Sequence, residues 1–108
     1  INNEPRISFL QMDAYNEGTL DHLLSLNKQY DLIIDDGSHN PEHIKFFLSH
    51  YHQLLTPRGI MVVEDILSPQ VFNEVYPSLT EELKRNAFMV DLRHFKNRGD
   101  DLMLVTYL

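Results

Sequence analysis

Two short apolar runs in this chain each stop abruptly at a pair of acidic residues. The first is Tyr30-Asp31-Leu32-Ile33-Ile34, closed by Asp35-Asp36-Gly37-Ser38-His39. The second is Met61-Val62-Val63, closed by Glu64-Asp65-Ile66. An apolar run of about four to eight residues between turn signals reads as a buried strand. Carboxylates at its end then lie on a sheet's carboxyl edge, where open α/β sheets place their ligands. Two such ends side by side make a compact acidic site. His39, just past Asp36, supplies it with a candidate base.

The rest of the chain supports that architecture. Residues 7–12 read as a short strand ending at Asp13. Residues 19–28 carry Leu20, Leu23, Leu24 and Leu26 at helical spacing, with Gly18 and Thr19 at the start. Residues 31–35 are the first strongly buried strand. Asn40-Pro41-Glu42 is a helix start, with a cap, a proline at the first helical position and an acid in the first turn. That helix runs to about Leu55 and gathers Ile44, Phe47, Leu48, Tyr51, Leu54 and Leu55 on one face. Thr56-Pro57-Arg58-Gly59 is a turn, and 60–64 is the second buried strand. Val71, Phe72, Val75 and Tyr76 suggest one apolar helical turn before Pro77. Ser78-Leu79-Thr80-Glu81 matches a capping box, which predicts a helix to about Asn86. Residues 87–95 and 102–108 read as strands. The Gly-containing link Lys96–Asp101 between them suits an antiparallel hairpin. Strands alternating with helices imply an α/β fold with a mainly parallel sheet, here carrying a terminal antiparallel hairpin.

Composition narrows the classes. At 108 residues, without repeats or linkers, residues 1–108 are read as one domain. The formal charge of −7, from 16 acidic and 9 basic residues, comes with no basic stripe and argues against nucleic acid as a partner. The absence of cysteine excludes disulfides, thiolate zinc sites and cysteine nucleophiles. No run is long enough to predict a membrane span and no signal-peptide pattern is visible, so the expected location is cytoplasmic. A start at Ile1 suggests a piece of a longer protein.

The motifs taken together resemble the back half of a class I S-adenosylmethionine-dependent methyltransferase. The nearest pattern is that of the metal-dependent sugar O-methyltransferases of macrolide biosynthesis and the related cephalosporin hydroxylase group. The residues that carry the resemblance are Asp35-Asp36-Gly37-Ser38-His39, His43 on the next helix, Leu55-Thr56-Pro57-Arg58-Gly59, and Val63-Glu64-Asp65-Ile66. It covers about residues 8–66, and the final hairpin fits by topology alone. The resemblance implies a Rossmann-like methyltransferase sheet that lacks its first two strands here. It implies S-adenosylmethionine as cofactor, with Asp13 taking the adenine amino group, Ala14 and Tyr15 beside the adenine, and Asp35 facing the cofactor. It implies Mg2+ held by Asp36, Glu64 and Asp65, with His39 as general base. The acceptor would be a hydroxyl of a small molecule, a sugar among the options. One departure is large: the four glycines, at 18, 37, 59 and 99, form no glycine-rich loop.

That chemistry is coherent. Mg2+ prefers oxygen ligands in an octahedral shell, and an imidazole titrates where it can take a hydroxyl proton near neutral pH. Asp35 can equally cap a backbone amide, and His43 can either support His39 or be solvated. A second reading is a non-catalytic methyltransferase-like module for assembly. In that case the strand edges left open by the missing strands would favour a homodimer. A metal-dependent oxygenase ranks last, since such sites usually use two histidines and one carboxylate.

Overall fold

The first apolar run does become a strand, but not a buried one. In the computed structural model, which describes residues 5–96 and 102–108, β1 (Tyr30–Asp35) lies at the edge of a four-stranded sheet. Leu32 and Ile34 are 52% and 51% exposed, and Asp35 is its one buried residue. The outward face of the strand meets no covering layer among the described residues.

The chain enters through α1 (Glu17–Ser25), capped by the Asn16 side chain, which accepts from the Gly18 amide at 2.7 Å. The helix therefore starts before the position that Gly18 and Thr19 suggest, and it ends before Asn27, whose φ is 55°. After β1, α2 (Pro41–His50) begins as expected, with the Asn40 side chain accepting from Glu42 N at 2.9 Å. A 3₁₀ turn, Tyr51–Leu54, completes the predicted stretch. All six residues of the predicted apolar stripe are buried.

β2 is Leu55–Ile66, longer than the expected 60–64. It absorbs the expected turn as an irregularity, because Tyr30 pairs with Leu55 and Leu32 with Ile60, so Thr56–Gly59 stand opposite Asp31 alone. Thr56 Oγ1 donates to Asp31 at 2.9 Å across that gap. Then come α3 (Pro69–Val75), a 3₁₀ turn at Tyr76–Ser78 and α4 (Glu81–Arg85). The cap of α4 is Thr80, which accepts from Leu83 N, and not Ser78, which is spent in the 3₁₀ turn. β3 (Phe88–Asp91) is shorter than the predicted 87–95. Asp91 stops it by accepting from the amide, Nε and Nη2 of Arg93, and the chain turns into α5 (Arg93–Lys96). These bonds hold the Asp91 carboxyl below its ordinary range. β4 (Leu102–Tyr107) closes the fold. The hairpin link at 97–101 lies outside the described residues.

The strand order is β1-β2-β4-β3. β1 and β2 are parallel, whereas β2–β4 and β4–β3 are antiparallel. The α/β class and the antiparallel terminal hairpin are as the sequence implies, and the arrangement is a partial Rossmann-like sheet. Its parallel part is confined to one pair because residues 7–12 form no strand. An extended segment needs a partner ladder for its amides and carbonyls, and no described strand runs beside this one.

Register sorts the side chains by face. Ile33, Met61 and Thr106 align on one face, as do Asp35, Val63 and Leu104. That face packs on Ile44, Phe47 and Leu48 of α2 and on Leu83 of α4 in one core. The Thr106 hydroxyl, fully buried, donates to Leu83 O at 2.6 Å. The opposite face aligns Leu32, Ile60 and Tyr107, then Ile34, Val62, Val105 and Phe88, and no helix covers it among the described residues.

Candidate functional site

Asp35 ends β1 on the covered face and is 7% exposed. Its Oδ1 accepts from Gly37 N at 3.0 Å and from the Tyr15 hydroxyl at 2.7 Å. The amide-capping role foreseen for it is thus filled by one oxygen. Its Oδ2 is buried with no hydrogen-bond partner. A buried unpaired carboxylate oxygen costs free energy unless something donates to it. Burial first, then the bond to Asp35 and its charge, pushes the Tyr15 hydroxyl up to about 12. Ser38 N also donates to that hydroxyl, at 3.4 Å. The ring stacks on His43 with centroids 4.4 Å apart. His43 Nδ1 in turn shares a 2.6 Å hydrogen bond with Ser38 Oγ. The loop after β1 is therefore fastened to α2 and to residue 15 at several points.

That fastening aims a second group of side chains. Ligating atoms of Asp36, His39 and Asp65 all lie within 4.8 Å of one another. They arrive from the end of β1, the loop before α2 and the end of β2. His39 and Asp65 have φ of 63° and 55°. Left-handed backbone at a non-glycine residue costs roughly 1–2 kcal/mol and persists where the surroundings fix it. Asp65 sits within the irregularity of the β2–β4 pairing between Val63 and Ile66. Asn27, the remaining case among the described residues, is an ordinary helix stop. Glu64 is not in this group of three. It follows Ile60 and Val62 in the alternation of β2.

Two further predicted residues directly precede Tyr15. Asp13 Oδ1 accepts from Tyr15 N at 2.9 Å, a local turn on an exposed segment. Ala14 O accepts from the Tyr51 hydroxyl at 2.5 Å. Ala14, Tyr15, Ile33, Asp35, Gly37 and Tyr51 line a cavity of about 270 Å³. Ala14 and Asp35 thus share one cavity, and Asp13 is outside its lining. Sequence reasoning placed Tyr51 in the core and missed its hydroxyl. The signal was a tyrosine at the end of an otherwise aliphatic and phenylalanine stripe, where a buried hydroxyl must find a partner. Burial, together with the charges of Asp35 and Asp13, raises its pKa.

The profile of a methyltransferase-domain family matches residues 2–66, more than half of the chain. The chain belongs to this family. The match contains every site residue considered above and ends at Ile66, the last residue of β2. Among curated proteins, the chain is similar to demethylmacrocin O-methyltransferase of Streptomyces fradiae, with 33% identity over 63 residues. It is also similar to 8-demethyl-8-alpha-L-rhamnosyl tetracenomycin-C 2'-O-methyltransferase of Streptomyces olivaceus, with 35% identity over 63 residues. Each alignment covers 58% of this chain but only 16% and 17% of those relatives. The chain thus matches about a sixth of their length.

For a methyltransferase domain the two expected groups differ in fit. The cavity lined in part by Asp35 suits a ligand carrying a hydrogen-bond donor or positive charge, and S-adenosylmethionine carries both. The group at the strand ends offers two carboxylates and one imidazole, which is not the all-oxygen shell that Mg2+ prefers. No described helix is long and apolar enough to cross a membrane.

Proposed function

We propose that this chain carries the acceptor-side strand ends of an S-adenosylmethionine-dependent O-methyltransferase, acting on a hydroxyl of a small molecule such as a sugar. The observation that carries the reading is the meeting of Asp36, His39 and Asp65 at the carboxyl ends of two adjacent parallel strands, beside the cavity of Asp35. Ligands of open α/β sheets bind at that edge. Both relatives are O-methyltransferases by name, which supports the reaction class.

Methyl transfer to a hydroxyl forms a carbon–oxygen bond, breaks the carbon–sulfur bond and releases the hydroxyl proton. The residues divide accordingly. Asp35, Ala14 and Asp13 serve the cofactor, which supplies the methyl group when bound. Asp36, Asp65 and His39 serve the acceptor, and holding it in line with the methyl group is worth at most roughly 7–11 kcal/mol. Asp36 and Asp65 belong to a cation in this reading. His39, aimed at the same point, is left with two roles: proton acceptor or ligand.

Calorimetric titration of the chain with S-adenosylhomocysteine tests the reading. Binding that weakens at least tenfold in Asp35→Asn supports it. A second reading, a non-catalytic assembly module, is favoured by the open sheet face and the lack of a glycine-rich loop. A folded chain that binds no S-adenosylhomocysteine, yet self-associates, would replace the enzyme reading with that one.

A further inference from the structure

We propose that the amino end of β1 carries a second binding site, which takes a small aromatic anion such as an aryl phosphate. A cavity of about 470 Å³ lies there, with Arg6, Phe9, His22, Lys28 and Tyr30 in its walls. Tyr30 opens β1 and Asp35 closes it, so a strand length of roughly 17 Å separates this cavity from the candidate site at the carboxyl edge. The two share no lining residue.

Charge selects an anion. The chain is acidic overall, with a formal charge of −7, yet three basic residues and no acidic one line this cavity. The acids nearest in sequence stay out of it: Asp21 is not in the lining, and Asp31 accepts from Thr56 Oγ1. Elsewhere Lys45, Lys84 and Arg93 each have a carboxylate partner. Lys28 has none among the described residues. Arg6 has an interaction of its own, so the available charge is chiefly that of Lys28. Like charges grouped together repel one another, and an anion between them relieves that. The end of α1 brings a partial negative charge to the same place, but its last carbonyls are engaged. Leu23 O and Leu24 O accept from the amides of Leu26 and Asn27, and His22 O accepts from Ser25 Oγ.

The walls select a ring. Phe9 is 67% exposed and Tyr30 37%, and Leu10 and Leu26 are exposed beside them in the same lining. A flat apolar body laid against these side chains takes their surface out of water. The volume falls within the roughly 300–1,000 Å³ of small-molecule pockets. An inorganic anion would leave the aromatic walls wet, and a neutral ring would leave Lys28 without a counter-charge. A ring that bears an anionic group uses both. The lining comes from residues 6–10, 22–26 and 28–30, so the fold gathers bases that form no stripe along the chain.

The test titrates the full 108-residue chain with 1-naphthyl phosphate, 1-naphthol and inorganic phosphate in turn, following backbone amide shifts by NMR. Folding of each variant is checked by circular dichroism. Naphthyl phosphate should bind at least tenfold more tightly than either of the others and shift the amides of residues 8–10, 22–26 and 28–30. Added salt should weaken it, because the charges are exposed. Lys28→Gln should lower its affinity at least fivefold and Phe9→Ser at least threefold. Lys45→Gln, which changes the net charge equally, should alter it less than twofold. The proposal is overturned if the folded chain does not bind naphthyl phosphate, or if naphthol or inorganic phosphate binds as well. It is also overturned if the shifts fall on the open sheet face or on residues 35–39, or if Lys45→Gln costs as much as Lys28→Gln. S-adenosylhomocysteine is titrated separately, so the methyltransferase reading can survive the loss of this one, and the reverse.

Discussion

A Cβ built on Gly37 would lie 2.0 Å from the Tyr15 hydroxyl oxygen, and no described glycine has a positive φ. The motif therefore needs glycine here for room and not for a special dihedral. Tyr15 cannot yield cheaply, since Asp35 holds its hydroxyl and His43 its ring. Gly37→Ala is expected to cost about 1–3 kcal/mol in urea unfolding, and adding Tyr15→Phe should recover part of it. The raised Tyr15 pKa gives a second expectation. The protonated phenol is the form that the fold favours, so its contribution is complete below the ordinary tyrosine value of 10.0 and is lost as pH rises through about 12. Stability should fall across that window, and the fall should be shallower in Tyr15→Phe, whose absorbance titration lacks one late tyrosine. At this scale Asp36, Asp65 and His39 stand out as candidates in the sequence because their chemistry is written in the residue type, whereas Glu64 falls outside their group. The partners of Tyr15 and Tyr51 were not, because they lie 20 and 37 positions away.

Among elements, α2 was the clearest in sequence because everything that defines it is local. Its cap, its first-turn proline and its apolar stripe lie within one short stretch, and Asn40 and the stripe behave as that stretch predicts. Leu48, fully buried, should cost about 2–5 kcal/mol on truncation to alanine. Asn40→Ala should cost about 1 kcal/mol. Thermal unfolding of the two variants should separate these sizes. Strand limits were harder to read. β2 extends through Thr56–Gly59 because β1 lies alongside, and β3 stops at Asp91 because a nearby arginine captures that carboxylate. The stretch 7–12 has the composition of a strand and forms none, since a strand exists only with a neighbour.

For the molecule as a whole, α/β alternation was legible but one-sidedness was not. An apolar run reads the same whether or not this chain supplies its cover. Leu32, Ile34 and Ile60, at 52%, 51% and 41% exposure, lie on the open sheet face. Contiguous exposed apolar surface of this kind marks an interaction site or an association hazard. The chain is expected to self-associate with rising concentration in sedimentation velocity, and Ile34→Lys with Ile60→Lys should suppress that. A wild-type chain that stays monomeric throughout would show that the face needs no partner. The edge position of β1 has its own consequence in time. A strand bonded on one side points alternate amides at its neighbour and the others away. Deuterium should therefore enter β1 in a comb, every second amide at once and those between them slowly. The slow teeth should move into step with β2 only when the pair opens together.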